Sequence, residues 1–158
     1  MKRLLNSISI LAAAVALVGC SQILVAGQND SGNNPKLEGV WQTVVTPRIC
    51  ATGVPVGPTF PGILLFENGG TMTGTSTAVT STYGLWRREP GVPQYSFASL
   101  SLRYDPAGNW IGSRRITQAV TLEFPGSTFT STGTFQDYDV NGSPTMSGCA
   151  TSTGSRFQ

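Results

Sequence analysis

The residues best equipped for chemistry are two arginine pairs, Arg87-Arg88 and Arg114-Arg115, and a carboxylate-rich stretch, Asp137-Tyr138-Asp139-Val140-Asn141-Gly142. In an extended chain, neighbouring side chains point to opposite faces, so each arginine pair sends one guanidinium into the core of a sheet structure. An inward guanidinium either pairs with a buried carboxylate, such as Glu67 or Glu123, or binds an acidic ligand head group through its fork of donors. The ion pair is the preferred reading. The Asp137 stretch copies the first half of a calcium loop, but the position that needs a bidentate glutamate holds Gly148. Asn141-Gly142 is already accounted for as a hairpin turn, and no metal site is expected.

What is missing narrows the chemistry further. The chain has no histidine, so a serine nucleophile lacks its usual base and a zinc site would have to be built from carboxylates. No Gly-x-Ser-x-Gly elbow and no phosphate loop occurs. The expectation is a protein without cofactor and without enzymatic activity; an isomerase or cyclase of the kind a few small barrels host ranks last.

The start of the chain bears on location. Lys2-Arg3 precede an apolar run from Leu4 to Val18, and Gly19 supplies the small residue of a cleavage site. The run is shorter than the ~20 residues needed to cross a bilayer. Leu17-Val18-Gly19-Cys20 resembles the lipobox of a bacterial lipoprotein. The resemblance implies that residues 1–19 are a signal peptide and that Cys20 carries the lipid that anchors the protein. With Ser21 next, it implies an outer-membrane location facing the periplasm. Residues 20–36, rich in Asn, Gly and Ser, read as a flexible tether, and 37–158 as one folded domain.

Loss of Lys2 and Arg3 removes two of the ten basic residues and leaves the rest balanced against eight acidic ones. A neutral domain gives no electrostatic case for nucleic acid. Setting Cys20 aside, Cys50 and Cys149 form an even pair in an oxidising compartment, and one disulfide is expected.

From Leu37 on, strand-like runs alternate with turn clusters. Eight strands are expected at 39–49, 63–67, 71–78, 83–89, 94–104, 110–124, 128–138 and 145–157, with one long loop over 50–61 that contains Pro55, Pro58 and Pro61. The pattern is all-β, an eight-stranded up-and-down antiparallel barrel or a two-sheet sandwich, large enough as a barrel to be filled by side chains or to hold one small ligand.

Gly39-Val40-Trp41 and Arg156 favour the barrel, because they resemble the calycins, the lipocalin-like barrels. There a Gly-x-Trp opens the first strand, its tryptophan plugs the closed end, and a basic residue of the last strand lies over it. The resemblance implies a closed end at Gly39, Trp41 and Arg156 and a mouth under the 50–61 loop. If Cys50 faces Cys149 across an unbroken pairing of the first and last strands, Thr43 faces Arg156 and the guanidinium reaches the Trp41 ring. Pro47 would interrupt that ladder.

On this reading the protein is a membrane-anchored, lipocalin-like binding protein for a small apolar or amphiphilic ligand. The turns at 78–82, 105–109 and 139–143 join the long loop at the mouth, where Arg48, Arg103, Tyr104, Trp110 and Tyr138 are the candidate ligand contacts. The alternative is a filled barrel that acts through its surface, as an envelope assembly factor or an inhibitor.

Overall fold

The computed structural model describes residues 36–90 and 94–158. The signal peptide, Cys20 and nearly all of the expected tether lie outside these residues. Every regular element described is a strand: β1 Gly39–Arg48, β2 Phe60–Phe66, β3 Thr71–Ser76, β4 Val79–Arg88, β5 Gln94–Tyr104, β6 Trp110–Glu123, β7 Thr128–Tyr138 and β8 Pro144–Arg156. Each pairs antiparallel with the next, and β8 returns to β1, so the sheet is a closed eight-stranded up-and-down barrel. Closure leaves no edge strand exposed.

The expected strands correspond to these with small changes. β4 starts at Val79 rather than Tyr83, because Ser76 Oγ accepts from the amides of Ala78 and Val79 and fixes a tight turn at Thr77-Ala78. β2 starts at Phe60 rather than Ile63, which shortens the long loop to 49–59. The larger correction concerns closure. Trp41, not Thr43, faces Arg156, and the ladder runs through Pro47↔Ala150 to Arg48↔Cys149 without interruption. The two-residue difference arises because β1 ends before Cys50: the amides of Thr52 and Gly53 both bond to Ile49 O, so Cys50 folds back in a turn. Cys50 and Cys149 are nonetheless joined in a disulfide, with their Cα atoms 5.1 Å apart.

One end of the barrel is solid. Trp41, Phe66, Phe129, Leu37, Met72 and Leu122 are fully buried there, with Phe129 edge-on to Trp41 at 5.0 Å. Trp41 Nε1 donates to Leu37 O at 2.7 Å, which satisfies the indole in the core. Arg156 closes this end from the last strand. Its guanidinium carbon lies 4.4 Å over the Trp41 ring, and its nitrogens donate to Lys36 O and Glu38 O, both at 2.6 Å, and to Gly126 O at 3.2 Å.

Gly39 is dictated by that clamp. Its φ is +122°, and a Cβ there would lie 2.6 Å from Arg156 Nη1. Gly39→Ala is expected to lower stability by about 1–3 kcal/mol, through backbone strain and displacement of the guanidinium. Denaturant unfolding read at the tryptophans checks this.

Candidate ligand cavity

Going from the solid end toward the middle of the barrel, the inward side chains shrink, before Phe60 on β2 and Phe135 on β7 restore bulk. Along β2 they run Phe66, Leu64, Gly62; along β4 Trp86, Gly84, Thr82; along β5 Tyr95, Phe97, Ser99, Ser101; along β7 Phe129, Ser131, Gly133. Eight strands fix the barrel's width, so small residues leave space that large ones would fill. The result is a cavity of about 230 Å³ in the half of the barrel away from Trp41.

Its apolar wall includes Val45, Phe60, Leu64, Phe97, Ile116 and Phe135. Polar groups interrupt the wall at a few points. Gln118 Oε1 is taken by Ser131 Oγ at 2.5 Å. Ser99 is only 4% exposed, and its hydroxyl has no protein partner. An unpaired buried hydroxyl is costly, which marks Ser99 as a polar point in the wall whose hydrogen-bonding capacity the protein leaves unused.

Toward the mouth, Arg114 joins the wall. It donates from Nε to Asp137 Oδ1 at 2.6 Å and from Nη2 to Oδ2 at 2.9 Å, a bidentate fork. Its guanidinium also lies 4.4 Å from the centre of the Phe135 ring. Arg103 Nη1 reaches the same Oδ2 at 3.4 Å, and Asp137 is completely buried. The expected inward ion pair is therefore Arg114 with Asp137, not with Glu67 or Glu123. Those two carboxylates are exposed and accept from Thr71 and Thr128. Asp137 and Asp139 do not converge on a cation either. Asp139 Oδ1 is used within its own turn by the amides of Asn141 and Ser143. No group of three or more metal-ligating side chains occurs among the described residues.

The five residues assigned to ligand contact from the sequence are spread over different surroundings. Arg48 is committed to the loop, with Nε on Thr151 Oγ1 at 2.7 Å and Nη1 on Gly53 O at 2.8 Å. Tyr104 and Trp110 are half exposed, and Trp110 Nε1 is bonded to Gly112 O at 2.7 Å. Tyr138 follows Asp137 and takes the opposite parity. Arg103 reaches Asp137 beside Arg114, but none of the five lines the cavity. Alternation accounts for much of the scatter: Arg48 has the parity opposite to Thr43, Val45 and Pro47, and Tyr104 and Tyr138 the parity opposite to Arg103 and Asp137. Register shifts also occur at Arg103/Tyr104 and Asp137/Tyr138. A third shift, at Gly74/Ser76, lies at the same end.

The rim is held by local bonds. Asp105 accepts from the side chain and amide of Asn109 and from the amide of Ala107. The Asn109 side-chain bond, then its backbone bond, hold the Asp105 carboxyl below its ordinary value.

No family model, no curated protein and no solved structure matches this chain, so its barrel and cavity are read from its own strand pairing and side chains.

Proposed function

We propose that this protein is a binding protein that holds one small amphiphilic molecule in the barrel, and that a lipid on Cys20 anchors it in the bacterial cell envelope. The observation that carries the reading is the apolar cavity of about 230 Å³, with the unpaired Ser99 hydroxyl in its wall and Arg114 at its upper end. Binding sites are typically mostly apolar with a few placed polar groups, and this arrangement has that character on a small scale. The Gly39, Trp41 and Arg156 closure supports a calycin-like relationship, and Leu17-Val18-Gly19-Cys20 supports the anchor. The filled-barrel alternative predicts a different response to added volume.

Ser99→Leu separates the two. In a barrel with room, the leucine enters beside Leu64, Phe97 and Ile116, removes the unpaired hydroxyl and leaves stability equal or higher. In a filled barrel, overpacking costs about 1–3 kcal/mol. Native mass spectrometry of the wild-type chain, before and after organic extraction, is expected to show a small co-purifying adduct that extraction removes and Ser99→Leu lacks. A destabilised Ser99→Leu with no adduct on either protein would overturn the reading.

A further inference from the structure

The outer wall of the barrel has two unlike sides. On β7 and β8 the outward positions carry threonines, with Thr130 facing Thr153 and Thr132 facing Thr151 across the ladder. On β4, β5 and the start of β6 they carry Tyr83, Leu85, Leu100, Leu102, Tyr104 and Trp110. Tyr83 faces Leu100 and Tyr104 faces Trp110, while Leu85 and Leu102 stand one alternation away on the same strands, so the six are neighbours in one patch. Tyr83 and Leu85 are 66% and 67% exposed, and the other four are about half exposed. None of the six lines the cavity, so ligand binding does not account for them.

Taking about 150–250 Å² for each large side chain, these fractions leave roughly 500–800 Å² of the six in water. That is at or above the largest apolar patch of an ordinary monomer, about 300–600 Å². If two such patches met, roughly 1,000–1,600 Å² would be covered in total, which reaches the size of a specific interface. Closure of the barrel leaves no strand edge to pair, so the contact has to be made by side chains.

Charge decides what fits the patch. Along the outward positions of β2 to β5 the one charged residue is Arg87, and it is paired with Glu89 at 2.9 Å. Arg115 borders the patch beside Leu100. A bilayer surface is met by a basic face, which this is not. In a two-fold contact the same surface meets itself, so a charged patch would oppose its own sign and an uncharged one does not. We propose that this wall is the interface of a homodimer, in which Leu100 and Leu102 of β5 form the centre of the contact and Tyr83, Leu85, Tyr104 and Trp110 surround them. Tyr104 and Trp110 then serve the outside of the barrel rather than its mouth.

The test is sedimentation equilibrium of the full chain in a density-matched non-ionic detergent. The wild type is expected to be a dimer with a dissociation constant in the micromolar range or tighter, as interfaces of this size show. Leu102→Arg sets like charges against each other and is expected to weaken the dimer by about a hundredfold or more. Leu85→Arg, at a separate point of the patch, is expected to act in the same direction. Thr132→Arg, on the threonine wall, adds the same charge and is expected to leave the dimer intact. Near-ultraviolet circular dichroism of all three variants is expected to match the wild type, since each site is on the outer surface. A wild type that stays monomeric throughout would overturn the proposal. A dimer mass that all three variants keep would also overturn it, by tracing the association to a shared micelle. A monomer that binds neutral phosphatidylcholine vesicles, and loses that binding in Leu102→Arg, would overturn it in favour of a lipid surface.

Discussion

Asp137→Asn is expected to cost about 3–5 kcal/mol of unfolding free energy, the range for breaking a buried ion pair from one side. Asp137 is completely buried and answers two guanidiniums. An asparagine keeps the shape but removes the charge, and its amide group presents donors where Arg114 also donates. Two arginines are then left in the barrel without a counter-charge. The loss should appear as a lower urea midpoint at unchanged slope. Arg114→Met alone should also destabilise, because Asp137 is left with only the longer contact to Arg103. Combining Arg114→Met with Asp137→Leu should recover much of either loss, since replacing both partners by apolar groups leaves no uncompensated charge. If Asp137→Asn unfolds at the wild-type midpoint, the cluster is not the electrostatic unit described.

The second large effect is expected from the double substitution Cys50→Ser with Cys149→Ser. The disulfide spans a sequence separation of 99 residues. In the chain-entropy model, releasing a loop of that length costs about 4–5 kcal/mol, a large share of a small domain's net stability. The native barrel should change little. Arg48 still holds Gly53 O and Thr151, and Val56 N still bonds to Pro47 O. The oxidised wild type in denaturant with and without reductant should reproduce the same difference. A reduced protein as stable as the oxidised one would mean that the unfolded chain is already confined by other contacts.

The strands were legible because their signals are local. Asn68-Gly69-Gly70, Pro125-Gly126 and Asn141-Gly142 punctuate alternating runs, and β5 and β7 keep their expected bounds. Closure was legible only in part. The Cys50 to Cys149 link and the Trp41 with Arg156 contact both occur, but the register depends on where β1 stops, and a turn begun by Ile49 O carries no strong sequence mark. Arg103 reaches the Asp137 pair without lining the cavity, whereas Arg48 is taken by Gly53 O and Thr151 and Tyr138 points away from Asp137's side of the sheet. Alternation alone puts neighbours such as Arg103 and Tyr104 on opposite faces, so the five could not share one wall. The cavity itself had a readable signal that went unused. Taking every second residue of β2, β5 and β7 gives large side chains at the Trp41 end, small ones in the middle (Gly62, Ser99, Ser131, Gly133) and large ones again beyond (Phe60, Arg103, Phe135), which is the profile of a barrel filled at one end and open within.

The Arg156 clamp also sets how the barrel bears a load. β1 enters and β8 leaves at the same end, side by side and antiparallel, with Trp41 facing Arg156. Tension between the two chain ends would peel this seam open from that end, loading the bonds from Arg156 to Lys36 O and Glu38 O first and each ladder pair in turn. Tension between Lys36 and the loop at the far end acts along β1. Its bonds to β2 and β8 lie across that direction and resist together. The same barrel is therefore weak against separation of its termini and strong against a pull along its axis.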